Sequence, residues 1–169
     1  MNGSGSPTLD EAFELATRGD YAGALALCDR FDKEHPGDRR GLRERAAILL
    51  HKREYAAAEA ALHQLVRGGG SAEPCDLFDY GRVLAMQGRH RDAVLALTRC
   101  IDISVQHSDE YYVSSAKLVR AFSQVEMRNF IAAISDLDHL PDDTKFWIGN
   151  HGLVTKTSLA AIIAAKNAG

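Results

Sequence analysis

Apolar residues recur along most of the chain in the three- and four-residue steps of helices that bury one face, broken at intervals by short polar corners. Four corners are alike: Gly19-Asp20-Tyr21, Arg53-Glu54-Tyr55, Gly88-Arg89-His90 and Arg128-Asn129-Phe130, spaced 34, 35 and 40 residues apart. Positions counted from the first residue of each corner repeat too. Five residues on stands alanine every time: Ala24, Ala58, Ala93 and Ala133. Seven residues back stands a small residue: Ala12, Ala46, Gly81 and Ala121. Nine on come Cys28, Leu62, Leu97 and Leu137; twelve on come Phe31, Leu65, Cys100 and Leu140. Four back come Leu15, Leu49 and Leu84, with Gln124 breaking the rule.

The pattern predicts helical hairpins with very tight corners. Gly19 suits the left-handed turn that ends a helix, and Asp20 suits the N-cap of the next. Two antiparallel helices approach closely only where a small side chain sits at the crossing, which is the role expected of the alanines and of Gly81. Larger apolar residues fill the space above and below. The arginines at 53 and 128 would cost about 1 kcal/mol each if those positions are left-handed; the alternative is a slightly reshaped corner. A single hairpin cannot bury such a face alone, so neighbours are expected to stack.

The pattern resembles the tetratricopeptide repeat (TPR) over about residues 8–141. The motif stands nearly in full in the first and third repeats, and Pro36 occupies the usual end-of-repeat proline. The resemblance implies an all-α fold: an α-solenoid of about four TPR-like hairpins, near 8–37, 38–72, 73–107 and 108–141, closed by a C-terminal cap over 142–169. Thr8 and Glu11 form a capping-box pattern for the first helix. RGGGSAEP ends the second repeat as a flexible loop, Ser108 is expected to cap the helix that opens the fourth, and a final helix is expected near 156–167. Residues 1–7, small and polar without the apolar core of a signal peptide, are expected to be a disordered tail.

Composition adds exclusions. A net charge of −3 argues against a dedicated nucleic-acid binder, where a strongly basic face is expected, and the longest apolar run, residues 159–165, is far short of a membrane span. The three cysteines, Cys28, Cys75 and Cys100, show no C-x-x-C spacing, which points to reduced thiols in a cytoplasm; Cys28 and Cys100 fall at core positions. Charge is banded: residues 8–38 carry eight acids and three bases, residues 39–67 seven bases and three acids.

Candidate chemistry is sparse. The glycines at 68–70 lack the lysine of a phosphate cradle. No metal-ligand spacing stands out, so no metal or cofactor is expected. His107, Ser108 and Asp109 are adjacent, but a triad needs spatial geometry. The acids in DLDHLPDD read as a solvated corner. No catalytic residue is assigned, and the protein is expected not to be an enzyme.

The TPR resemblance implies that the first helix of each hairpin lines a groove for a protein or peptide partner. The groove residues are Phe13, Arg40, Arg43, Ala47, His51, Phe78, Arg82, Met86, Leu118, Phe122 and Glu126, an apolar line with flanking arginines. The alternative is that the phenylalanines pack between repeats. The carboxylate clamp of some TPR proteins is missing, since Leu9, Phe13, Glu44, Cys75 and Asp79 stand in its places. The expected function is non-catalytic: to hold, shield or inhibit one protein partner, with an immunity protein to a secreted toxin as first candidate. A secretion chaperone or a self-associating scaffold is the alternative. No nucleic acid or membrane partner is expected, and homo-oligomerisation is left open. The one tryptophan, Trp147, is expected to fold back with Phe146 and Ile148 and seal the end of the fourth repeat; the competing reading is an exposed anchor for a partner.

Overall fold

The structure, a computed structural model, describes residues 7–67 and 72–167. Residues 1–6 of the expected tail, and residues 68–71 of the expected loop with its glycine run, lie outside this range. Helices α1 (Pro7–Thr17), α2 (Tyr21–Glu34), α3 (Arg39–His51) and α4 (Tyr55–Arg67) belong to a first compact unit. A second unit contains α5 (Pro74–Met86), α6 (His90–Gln106), α7 (Val113–Glu126) and α8 (Phe130–Leu137). It continues through β1 (Lys145–Trp147), a 3-10 turn at Gly149–His151, β2 (Leu153–Thr155) and α9 (Lys156–Asn167). Within each unit consecutive helices pack on one another.

All four corners are left-handed. Their first residues have φ of 87° at Gly19, 65° at Arg53, 75° at Gly88 and 59° at Arg128. In each, the next residue's N–H reaches back to a carbonyl five positions earlier: Asp20 to Leu15, Glu54 to Leu49 and Arg89 to Leu84 at 2.9 Å, and Asn129 to Gln124 at 2.8 Å. This bond occupies a carbonyl that the helix end leaves free. The following helix starts at once; Asp20 caps it with a side chain, through Gly23 N–H at 2.9 Å, whereas Arg89 and Asn129 make no such bond. The crossing residues Ala12, Ala24, Ala58, Ala93, Ala121 and Ala133 are wholly buried. A Cβ at Gly81 would stand 2.6 Å from Leu97 Cγ, so glycine there is required by close helix approach.

Two capping expectations change. Thr8 lies inside α1, which opens on Pro7, a residue suited to the first helical turn. Ser108 does not open α7. It follows α6 as a left-handed residue (φ 54°), with Asp109 N–H on Ser104 O at 2.9 Å, and α7 begins only at Val113. The capping hydroxyl is elsewhere: Thr155 and Ser158 exchange bonds at the start of α9, Ser158 N–H on Thr155 Oγ1 at 2.9 Å and Thr155 N–H on Ser158 Oγ at 3.0 Å.

The all-α expectation is also corrected, because β1 and β2 form a small antiparallel ribbon pairing Lys145 with Thr155, Phe146 with Val154 and Trp147 with Leu153. Side chains alternate along it as a strand requires. Phe146 and Val154 turn inward, and beyond β1 Ile148 is fully buried. Lys156 ties the base of the ribbon: its Nζ donates to Leu140 O at 2.7 Å and to Asp142 Oδ1 at 2.8 Å. Beyond the ribbon, α9 buries Leu159 and Ile163.

Candidate interaction surfaces

The groove residues inferred from the sequence fall in both units, and each group is described by itself. In the first unit, α1 packs on α3. Phe13 on α1 is 60% exposed. Ala47 and His51 on α3 are exposed as well, and His51 Nδ1 lies 3.1 Å from Tyr21 Oη. Arg43 is half-buried. Arg40 holds Asp38 through Nη2–Oδ2 at 2.7 Å, and that bond draws the Asp38 carboxyl down to about 2. Glu44 is half-buried, with Oε1 shielded from solvent and without a hydrogen-bond partner. Desolvation raises its pKa, and the charge of Asp10 raises it further.

In the second unit three of the groove residues, Phe78, Leu118 and Phe122, are covered by the chain itself. Phe78 on α5 is only 5% exposed. Its ring meets Phe146 edge-on at 5.2 Å and Tyr112 at 5.4 Å. The Arg82 guanidinium lies 5.7 Å from the Phe146 centroid and 5.9 Å from that of Phe78, within cation–π range of both. Asp79 Oδ1 holds the same guanidinium at 2.9 Å. Phe122 on α7, also 5% exposed, stands between His151 at 4.9 Å and His90 at 5.8 Å. Burial lowers the His90 pKa, against an upward pull from Glu126 and with a further downward push from His151. Leu118 is fully buried, Met86 half-buried and Glu126 exposed.

Phe78, Leu118 and Phe122 are therefore core residues of the second unit, not anchors open to a partner. The ring that covers Phe78 is Phe146, and the ring that covers Phe122 is His151. Both belong to the segment expected to form the cap.

Trp147 departs from its expected place. It is 58% exposed, opposite Leu153 at 54%. Sealing is done by its neighbours Phe146 and Ile148, because residues next to each other in a strand point to opposite faces. The two-residue alternation through Lys145, Phe146, Trp147 and Ile148 is the sequence signal that would have separated Trp147 from the seal. Nothing in the sequence marks Leu153 as its cross-strand partner.

The acidic corner also divides. Asp136 is buried against Arg120, whereas Asp142 is open to solvent and paired with Lys156. His107, Ser108 and Asp109 are exposed on the turn after α6, where Asp109 Oδ1 accepts from Tyr111 N–H at 3.1 Å. Cys28 and Cys100 are buried free thiols, both pushed up to about 11 by desolvation, and Cys75 is half-buried.

Among the described residues no group of three or more His, Cys, Asp or Glu side chains could hold a metal. No helix among them is long and apolar enough to cross a membrane. No protein-family model matches the chain, and no curated protein matches it.

Proposed function

We propose that this protein is a non-catalytic protein-binding module that holds, shields or inhibits one partner protein in the cytoplasm. An immunity-type inhibitor of a secreted toxin is its leading form. In this reading the helix pairs are TPR-type repeats stacked as an α-solenoid. The reading is supported by the recurrence of one left-handed corner at near-constant spacing with alanine at each crossing.

The observation that carries the binding role is the Trp147–Leu153 pair. An aromatic and an aliphatic side chain stand directly opposite on the ribbon's outer face. The inner face fixes them in place through Phe146, Ile148 and Val154. A rigid, exposed tryptophan loses little conformational freedom on binding and is the residue type most enriched among interface hot spots. Scattered exposed apolar residues need no explanation, but a cross-strand pair on a fixed element is a contiguous apolar surface.

The test is affinity for the partner captured from the native organism. Trp147→Ala with Leu153→Ala should weaken binding at least tenfold, about 1.4 kcal/mol or more, with helix content unchanged. Unchanged affinity would remove the basis for this reading.

A self-associating scaffold is the second reading. It is favoured by α9, whose exposed residues Ala160, Ala161, Ile162, Ala164 and Ala165 form an uncharged stretch that ends at the exposed Lys166. Light scattering separates the two readings, since the scaffold requires a mass that rises with concentration and the monomeric binder does not.

A further inference from the structure

We propose that the exposed face of α1 and α3 docks a basic segment of the partner protein, seating an arginine or lysine side chain beside Phe13 with its cation on the carboxylates of Asp10 and Glu44. This inference rests on the protein-binding reading and adds the chemistry of the partner.

Three observations converge. The first is a comparison within the chain. Phe13 and Phe122 each stand six residues before a left-handed corner, on α1 and α7. Phe122 is 5% exposed, under the His151 ring at 4.9 Å. Phe13 is 60% exposed. The same position is thus filled by a nitrogen-bearing side chain in the second unit and open to solvent in the first.

The second is charge. Helix α1 carries Asp10, Glu11 and Glu14 and no lysine or arginine. Of these three, Glu14 pairs with Arg18 at 3.3 Å. The bases of α3 are engaged: Arg40 with Asp38, and Arg45 with Asp29 and Asp32 at 2.8 Å. Arg39 donates to Leu65 O at 2.7 Å, and Arg43 is not free either. Lys52, just after α3, is held by Glu54 at 2.7 Å, and His51 bonds Tyr21.

The third is Glu44. Its Oε1 is shielded from water and accepts no hydrogen bond, and its pKa is raised by desolvation first and by the charge of Asp10 second. A cation docked beside the two carboxylates relieves their repulsion and offers Glu44 a charged donor once its side chain turns outward. Arginine suits the site best, because its guanidinium can bond a carboxylate while lying over an aromatic ring.

The experiment is an NMR titration of the full chain with a blocked Gly-Arg-Gly-Arg-Gly peptide, using the citrulline version as the uncharged control. Shifts should centre on Asp10, Phe13, Glu44 and Ala47, and the Glu44 carboxyl pKa should fall as peptide is added. Phe13→Ala and Glu44→Gln should each weaken binding about fivefold or more, whereas Asp142→Asn with Asp143→Asn should not. Shifts spread over all acidic surfaces, equal binding of the citrulline peptide, or full affinity in Phe13→Ala would overturn the proposal.

Failure here is distinguishable from failure of the protein-binding reading. A captured partner that is lost in the Trp147/Leu153 variant but binds Phe13→Ala and Glu44→Gln normally would keep that reading and reject the basic docking site.

Discussion

Arg120 on α7 grips Asp136 on α8 with two parallel hydrogen bonds, Nε to Oδ2 at 2.8 Å and Nη2 to Oδ1 at 2.6 Å. The third arm of the guanidinium donates to Thr98 Oγ1 on α6 at 2.9 Å. One fork, from the half-buried Arg120 onto the buried Asp136, therefore joins three consecutive helices of the second unit. The planar guanidinium matches the carboxylate in geometry, which a lysine would not do.

Removing one partner leaves a buried charge without compensation. Asp136→Ala should destabilise by about 3–5 kcal/mol, whereas Arg120→Leu with Asp136→Leu should lie much closer to wild type. Denaturant melts of the two variants check this. Equal losses would mean that the pair contributes only packing.

The corners give a second prediction. Arginine at φ 65° and 59° is strained where glycine is not. Arg53→Gly and Arg128→Gly should each stabilise by up to about 1 kcal/mol. A Cβ at Gly88 would meet nothing within 4 Å, so Gly88→Ala isolates the backbone term and should cost about 1 kcal/mol. Thermal melts of the three variants read both signs.

The thiols give a third. Cys28 and Cys100 are buried and held near 11, above the ordinary 9.0. Below pH about 9 the thiols are protonated in the folded and unfolded chains alike. Between about 9 and 11 the unfolded chain loses protons that the folded chain retains, so stability falls as pH rises through that window. Cys28→Ala with Cys100→Ala should flatten this step in a pH series of denaturant melts. In native protein Cys75 should react first with a thiol reagent, and the other two only on unfolding.

The helices were legible because each corner is a local device. A left-handed residue, a returning N–H and an alanine five positions on recur together, so register could be read from Ala24, Ala58, Ala93 and Ala133. Spacing placed Arg53 and Arg128 at corners but left open whether those corners are left-handed or reshaped; both are left-handed. Ser108 was misread because the turn after α6 uses the same helix-ending geometry without the Gly-Asp-Tyr lettering and without an immediate new helix.

The surfaces were less legible, for a tertiary reason. Phe13 and Phe122 occupy equivalent places in sequence, and only the folding-back of residues 145–155 buries one while leaving the other open. The ribbon strands are three residues each, too short for a pattern of their own. Asp136 looks like its acidic neighbours until Arg120 is seen beside it.

The most direct test is the fluorescence of Trp147, the chain's one tryptophan, in the free protein and in complex with its captured partner. The account predicts a red-shifted emission freely quenched by iodide in the free protein, becoming blue-shifted and protected in the complex. A tryptophan already protected in the free protein, or one equally quenched with the partner bound, would contradict it.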